Sequence, residues 1–200
     1  EAGIGVDVHT ICSMGGRTLV AMTSLALKTG SAGVLFHDLQ PQLVADQIEA
    51  ALFDGKPKAV KVGLVRQTET ILLVSRLISA LPYRVIVPSI MTSDGRLLIS
   101  SEAVSAWIKY LLPLSTILVL RVCEAEVMLG HRMTSDEQML HAAMELRALG
   151  AGAVLLRGGH VMADYLTALL FAGEHHSFFT SRNTSGWQRH GASGALTSAT

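Results

Sequence analysis

Charge is scarce in this chain, and neither sign prevails. Only 16% of its 200 residues are charged, with sixteen Asp and Glu against sixteen Lys and Arg, so the formal net charge is zero. A nucleic-acid or anionic-membrane binder shows a basic patch, and none is legible here. Aromatic residues are few, at 5%, which argues against an aromatic-rich sandwich. No apolar run reaches the roughly 18 residues that a membrane span needs. The greasiest stretch, residues 111–120, is interrupted by Pro113 and ended by Arg121. The first residues are acidic and lack the pattern of a secretion signal, so the expected location is cytoplasmic. Cysteine is nearly absent. Cys12 and Cys123 stand far apart in apolar, helix-compatible contexts and read as two buried thiols rather than as a disulfide or a metal site. No internal repeat and no low-complexity tract is present.

Half of the residues are hydrophobic, mostly Ala, Leu and Val, with abundant Gly. That palette suits one well-buried domain built on a parallel sheet covered by helices. Residues 3–14 read as a helix, with Ile4, Val8, Ile11 and Cys12 at helical spacing and Gly15-Gly16 as its stop. Residues 17–27 are β-compatible, and a strand is expected in their first half, followed by a polar loop over residues 28–31. Pro41 opens a helix running to about Phe53. Then come a strand at 59–64, a helix at 68–81, a strand at 84–87, a turn at Ser93-Asp94-Gly95-Arg96, and a helix at 102–112 capped by Ser100 or Ser101. A strand at 116–120 and a short helix at 123–129 follow. Ser135-Asp136-Glu137-Gln138 is a capping-box signature for a helix to Leu149. A strand at 153–156 and two late strands at 166–171 and 177–180, joined through Gly173, complete the list. Such alternation predicts an α/β fold: a three-layer, open, mostly parallel sheet with helices on both faces. Ligands of these sheets bind beyond the carboxyl ends of the strands.

Three Gly-containing motifs carry the chemistry. Glu1-Ala2-Gly3-Ile4-Gly5-Val6-Asp7 stands at the start, Arg157-Gly158-Gly159-His160 follows an apolar strand, and His190-Gly191-Ala192-Ser193-Gly194-Ala195 leads into a small-residue segment. A glycine turn entering a helix offers free N–H groups and the positive end of the dipole to an anion. In this order and spacing the motifs resemble the ribokinase-like small-molecule kinases, above all the hydroxymethylpyrimidine/phosphomethylpyrimidine kinases of thiamine biosynthesis, with the pyridoxal kinases as relatives. The resemblance spreads across most of the chain and implies a single ribokinase-like domain. It also implies a strand before Glu1 and helices after Thr200, so both ends look cut.

What the resemblance implies for single residues follows the motifs. Asp7 matches the Asp of the family's Ala-Gly-Ile-Gln-Ala-Asp, which accepts hydrogen bonds from the substrate's amino group; on its own it reads equally as a charge that helps a helix start. Gly3 and Met91 would line the same substrate pocket. Gly5 replaces the family's usual Gln. Lys28 stands near a ring-contacting Gln of the family, or is a solvated lysine. Arg121-Val122-Cys123-Glu124 stands where the family has Asn-x-x-Glu, whose Glu helps to arrange Mg²⁺ and phosphate; Glu124 is retained and Arg121 takes the Asn position. Arg157, Gly158 and Gly159 match Lys-Gly-Gly-His beside the ATP phosphates. In the last motif the amides of Ser193, Gly194 and Ala195 would form the anion hole for the transferring phosphoryl group. Ala195, however, stands where the family carries its Cys or Asp base, and neighbouring His190 titrates near neutrality. His131 and the pair His175-His176 lack metal-ligand spacing and read as surface residues.

The function expected from these residues is ATP-dependent, Mg²⁺-assisted phosphorylation of the hydroxymethyl group of a pyrimidine or of its monophosphate. Two alternatives stay open: a kinase for pyridoxal or pyridoxine, and a catalytically impaired ligand-binding protein on the same fold, which Ala195 and Arg121 motivate. The expected partners are a small-molecule pyrimidine or pyridoxine-like substrate and a second copy in a homodimer, with no nucleic acid and no membrane.

Overall fold

The computed structural model of the protein describes residues 3–28, 34–92, 95–159 and 165–182. A six-stranded sheet organises them, in the order β3 (Val60–Val62), β4 (Arg84–Ile86), β5 (Ile117–Arg121), β6 (Ala153–Gly159), β7 (Tyr165–Ala172) and β8 (His175–Arg182). The first four strands run parallel. The last two form an antiparallel hairpin on the far edge, turning at Gly173 with φ of 62°. In β5 the consecutive residues Leu118, Val119 and Leu120 are all buried. Neighbouring side chains on a strand point to opposite faces, so both faces of β5 are covered, as the α/β expectation requires.

The helices are α1 (Ile4–Ser13), α2 (Pro41–Asp54), α3 (Thr68–Ile78), α4 (Ser101–Ala106), α5 (Val122–Leu129) and α6 (Asp136–Ala148). Their ends follow local chemistry. Pro41 occupies the first turn of α2, where its missing N–H costs nothing. The Ser100 and Ser135 hydroxyls accept from the N–H groups of Ala103 and Gln138. The Gln138 amide oxygen, however, turns to the N–H and hydroxyl of Thr134, so the expected capping box closes one residue earlier. Helix α2 packs on α3, and α5 and α6 pack on β5, β6 and β7. Ile71, Ile78, Ile86, Leu118, Leu146 and Leu156 form the centre of a continuous core. Gly152 lets β6 start against the neighbouring connection: a Cβ there would lie 2.6 Å from the Thr116 carbonyl oxygen.

Four expectations change. The strand expected in the first half of residues 17–27 is absent. Residues 17–23 are irregular because side chains hold their backbone: Gln47 bonds both the N–H and the carbonyl of Met22, and the Thr23 hydroxyl donates to the Leu64 carbonyl. The strand begins at Ser24 instead. This β1 (Ser24–Lys28) pairs antiparallel with β2 (Val34–Asp38) in a separate two-stranded sheet. The helix expected to Leu112 leaves α geometry after Ala106, passes through one wide π turn at Trp107–Leu111 and closes with a 3-10 turn at Leu112–Leu114. Two causes meet there. The buried Trp107 indole donates to the Val65 carbonyl at 2.9 Å, and Pro113 has no N–H to continue the ladder. The last change concerns the cysteines: Cys12 is exposed on α1 and Cys123 only half-buried, and both are free.

Candidate functional site: a two-arginine cluster at the strand ends

Two neighbouring parallel strands and the helix that follows the first deliver side chains to one place. Arg121 is the last residue of β5, and Arg157 stands opposite it on β6 in the register of the sheet. In-register residues of neighbouring strands face the same way, with backbones about 4.8 Å apart. Glu124 comes from the first turn of α5, which starts immediately after Arg121, and it is buried to 2% exposure. One carboxylate oxygen accepts from the Arg121 backbone N–H at 3.0 Å, the other from the Arg121 guanidinium at 3.0 Å. The same guanidinium donates to the carbonyls of Met91, at 2.5 Å, and Thr92, at 3.2 Å, beyond β4. Burial pulls the Arg121 pKa down, but the hydrogen bond and charge of Glu124 outweigh it and the net shift is upward. Arg157 moves the other way: burial lowers it and Arg121 adds to that, against the pull of Glu124. Burial likewise pushes the Cys123 thiol up, so it is no ready nucleophile.

The segment between β4 and Met91 is tightly held. Ser89 adopts φ of 51°, which a non-glycine residue seldom does, Leu98 N–H donates to the Ile90 carbonyl at 2.7 Å, and Met91 bridges to Leu97. On β6, Gly158 has φ of 78° and sits at a register shift between Arg157 and Gly159, and a Cβ added there would meet open space. Both glycine positions expected beside the phosphates therefore lie where the strand opens.

A second cluster holds Asp7. Gly3 is the N-cap of α1, its carbonyl accepting from the N–H groups of Val6 and Asp7. The Asp7 carboxylate takes a 2.5 Å hydrogen bond from Lys61 of β3. Lys61 is the residue of this cluster that the sequence reading passed over; its signal was a single charge inside the apolar run Ala59-Val60-Lys61-Val62. Gly5 has open space where a Cβ would go. Lys28 is the last residue of β1, paired with Val34 in the small sheet rather than placed in a loop. His160, His190, Ser193, Gly194 and Ala195 lie outside the described residues. Among the described residues no group of three or more His, Cys, Asp or Glu could hold a metal ion. Both Glu124 oxygens accept from Arg121, and the guanidinium charge beside the carboxylate makes it a poor direct ligand for Mg²⁺.

The whole chain, residues 1–200, matches the family model for phosphomethylpyrimidine kinase. The chain belongs to that family. It is 32% identical to the thiamine biosynthesis bifunctional protein ThiED of Geobacter sulfurreducens, over 99% of this chain and 41% of that protein. The hydroxymethylpyrimidine/phosphomethylpyrimidine kinase of Rhizobium meliloti is 31% identical over 86% of this chain and 66% of its own length. The chain thus spans less than half of the first relative and about two thirds of the second. Among solved structures, the phosphomethylpyrimidine kinase of Clostridium difficile 630 superposes with a TM-score of 0.82 at 27% identity, covering 99% of this chain and 90% of that one. The Staphylococcus aureus pyridoxal kinase in complex with AMP-PCP gives 0.87 at 25% identity, covering 99% and 73%. The family's fold is ribokinase-like, and the α/β architecture here is that fold. No helix among the described residues is long and apolar enough to cross a membrane.

Proposed function

We propose that the protein is a cytoplasmic, ATP-dependent kinase that phosphorylates the hydroxymethyl group of hydroxymethylpyrimidine, and its monophosphate in turn, for thiamine biosynthesis. The observation that carries this reading is the family match over the full chain, with paired cations at the strand ends where the fold receives nucleotide phosphates. Asp7 accepts from the ring's amino group while Lys61 fixes its position. Gly3, Met91 and Lys28 complete the substrate pocket. Arg121 and Arg157 bind phosphate oxygens, and Gly158 and Gly159 let the backbone approach them. The amides of Ser193, Gly194 and Ala195 cradle the γ-phosphoryl group. The substrate hydroxyl oxygen attacks that group, the bond to ADP breaks, and the hydroxyl proton passes to His190. Phosphoryl transfer is mostly positioning and charge stabilisation, so Ala195 at the base position is compatible with turnover. Magnesium would travel on the phosphate oxygens of ATP and screen their charge.

The likeness to pyridoxal kinase supports a second reading, a kinase for pyridoxal. One experiment separates the two: ADP release by the full-length protein with ATP and Mg²⁺, supplied with hydroxymethylpyrimidine or with pyridoxal. Turnover of the pyrimidine that Asp7→Ala abolishes bears out the proposal. Turnover of pyridoxal alone transfers it to the second reading. Binding by calorimetry without turnover of either overturns both and leaves a binding protein.

The same proposal includes a homodimer. Leu25 and Leu27 of β1 and Leu35 of β2 share one face of the small sheet, each about half exposed. An apolar patch of that kind fits a second copy of the chain. Light scattering of the full-length protein tests it: a dimer is expected, and Leu27→Lys is expected to give the mass of a monomer. A wild-type monomer refutes it.

A further inference from the structure

A third charged side chain, outside both clusters, joins parts of the chain that lie far apart in sequence. Arg66 stands in the connection between β3 and α3. Its Nη1 donates to both carboxylate oxygens of Asp38, the last residue of β2, at 3.1 and 2.9 Å. Its Nε donates to the Leu98 carbonyl at 2.9 Å, and its guanidinium carbon lies 4.4 Å from the centre of the Phe36 ring. We infer that Arg66 is a positioning residue for the pyrimidine: it latches the β1–β2 sheet onto the segment that follows β4, and so sets where the end of β1, with Lys28, stands relative to Met91. The inference rests on the kinase reading above and names a residue on which its substrate affinity depends.

The small sheet requires such a tie. Two strands alone make a marginally stable sheet, so its position and its survival depend on what docks it. Alternation along β2 sets Val34, Phe36 and Asp38 on one face, each half-buried, while Leu35 and His37 are exposed on the other. Arg66 grips that inner face at Phe36 and Asp38. The backbone of Lys28 pairs with that of Val34, so a tilt of β2 carries Lys28 with it. On the opposite side, the Leu98 N–H donates to the Ile90 carbonyl at 2.7 Å, and Met91 bridges to Leu97. The Arg66 bond to Leu98 therefore reaches the backbone beside Met91 through one further hydrogen bond. A cleft of about 210 Å³ separates the two sides, with Val34 and Phe36 on one wall and Thr92, Leu97 and Leu98 on the other, and Arg66 spans it. The Arg66 and Asp38 side chains are 24% and 22% exposed, so water screens their charges only in part. The bonds from Gln47 to Met22 and from Thr23 to Leu64 act on the residues before β1, whereas Arg66 acts on β2 and on the Met91 side together.

The test compares the full-length wild type with Arg66→Gln, Asp38→Asn and the double variant, each checked for folding by circular dichroism. In Arg66→Gln the KM for hydroxymethylpyrimidine is expected to rise at least about fivefold while the KM for ATP stays within about twofold, because a misplaced wall of one pocket leaves the other alone. Asp38→Asn is expected to give a smaller rise of the same kind. The double variant is expected to match Arg66→Gln rather than the product of the two single effects, since the pair acts as a unit. Hydrogen exchange read by mass spectrometry adds a measurement that needs no turnover. The amides of β1 and β2 are expected to exchange at least about fivefold faster in Arg66→Gln, with those of β4, β5 and β6 at wild-type rates. An unchanged pyrimidine KM, or equal rises in both KM values, overturns the positioning role and leaves the kinase reading intact. Unchanged exchange in β1 and β2 overturns the latch whatever the activity. A wild type that turns over no pyrimidine overturns the kinase reading and, with it, the substrate part of this inference.

Discussion

Removing the Glu124 carboxylate tests the cluster most directly, because its energetics are set by countable contacts. In Glu124→Ala the Arg121 backbone N–H loses its acceptor in a buried place, and an orphaned donor costs about 1–3 kcal/mol. Arg121 and Arg157 also lose the counter-charge of Glu124. Breaking a fully buried pair costs about 3–5 kcal/mol, but the Arg121 side chain is 31% exposed and water screens part of that. The sum expected for Glu124→Ala is about 3 kcal/mol, or roughly 6–12 °C in Tm for a chain of this size. Glu124→Gln keeps an oxygen for the Arg121 N–H and loses only the charge, so about half that effect is expected. Urea and thermal unfolding of the three proteins give both numbers. The double variant Arg121→Gln/Glu124→Gln should be less destabilised than the sum of its single changes, since the pair then vanishes together. A Glu124→Ala loss below about 1 kcal/mol, or strict additivity in the cycle, would refute the picture of Glu124 as the clamp on Arg121.

Three further changes probe other points of the fold. Gly152→Ala puts a methyl group 2.6 Å from the Thr116 carbonyl oxygen and 3.0 Å from that of Ser115, both backbone, so a loss of about 2 kcal/mol in the urea midpoint is expected; a neutral result would mean that the connection moves freely. Gly5→Gln enters open space in the first turn of α1 and removes a helical glycine, so thermal unfolding should show a gain of about 0.5 kcal/mol, and a loss would contradict the open site. The third concerns His131, whose pKa is raised first by its hydrogen bond to Glu145, while that of Glu145 is lowered first by the same bond; Glu126 also raises His131, and His141 also lowers Glu145. The histidine's share of stability is therefore present at acid pH and lost as pH rises through its raised pKa. The carboxylate's share is lost as pH falls through its lowered pKa. The stability gap between wild type and His131→Gln should peak at about pH 5–6 and vanish above about pH 8, staying under roughly 0.5 kcal/mol because the pair is exposed. A gap that does not change with pH would refute the pairing.

The core elements were legible because their patterns are local. Ile71, Val74 and Ile78 recur at helical spacing, and α3 buries all three. The apolar runs of β5 and β6, the proline at the start of α2 and the serines before α4 and α6 state their roles within a few residues. The β1–β2 pair was not legible, and the reason is physical. Its leucines alternate as a strand should, yet they face outward, and residues just before them are apolar without forming a strand. Hydrophobicity alone does not say whether a face is covered by the chain's own core or by something else. The π turn at Trp107 was hidden for a similar reason: it depends on the carbonyl of Val65, far away in sequence.

The candidate site divides along the same line. Arg121, Glu124 and Arg157 are each visible as polar residues at the end of an apolar run. Lys61 was missed because a lone lysine in a strand ordinarily belongs to a solvated edge, and among the described residues β3 is an edge strand. Its partner Asp7 lies 54 residues away, beyond any local pattern. The consequence of arginine at position 121 was equally out of reach of motif reasoning. Judged by its motif, Arg121 exchanges a neutral amide for a charge beside a phosphate. In the fold its guanidinium reaches across to the carbonyls of Met91 and Thr92 while also holding Glu124, so one side chain ties the segment expected at the substrate to the residues expected at the phosphates. Substitution at this position should therefore disturb both ends of the site, so that the KM values for substrate and for ATP rise together in Arg121→Asn. A change confined to the ATP KM would instead mean that the Met91 and Thr92 segment is held by its own backbone bonds, from Thr92 N–H to the Arg96 carbonyl and from Leu98 N–H to the neighbouring Ile90 carbonyl.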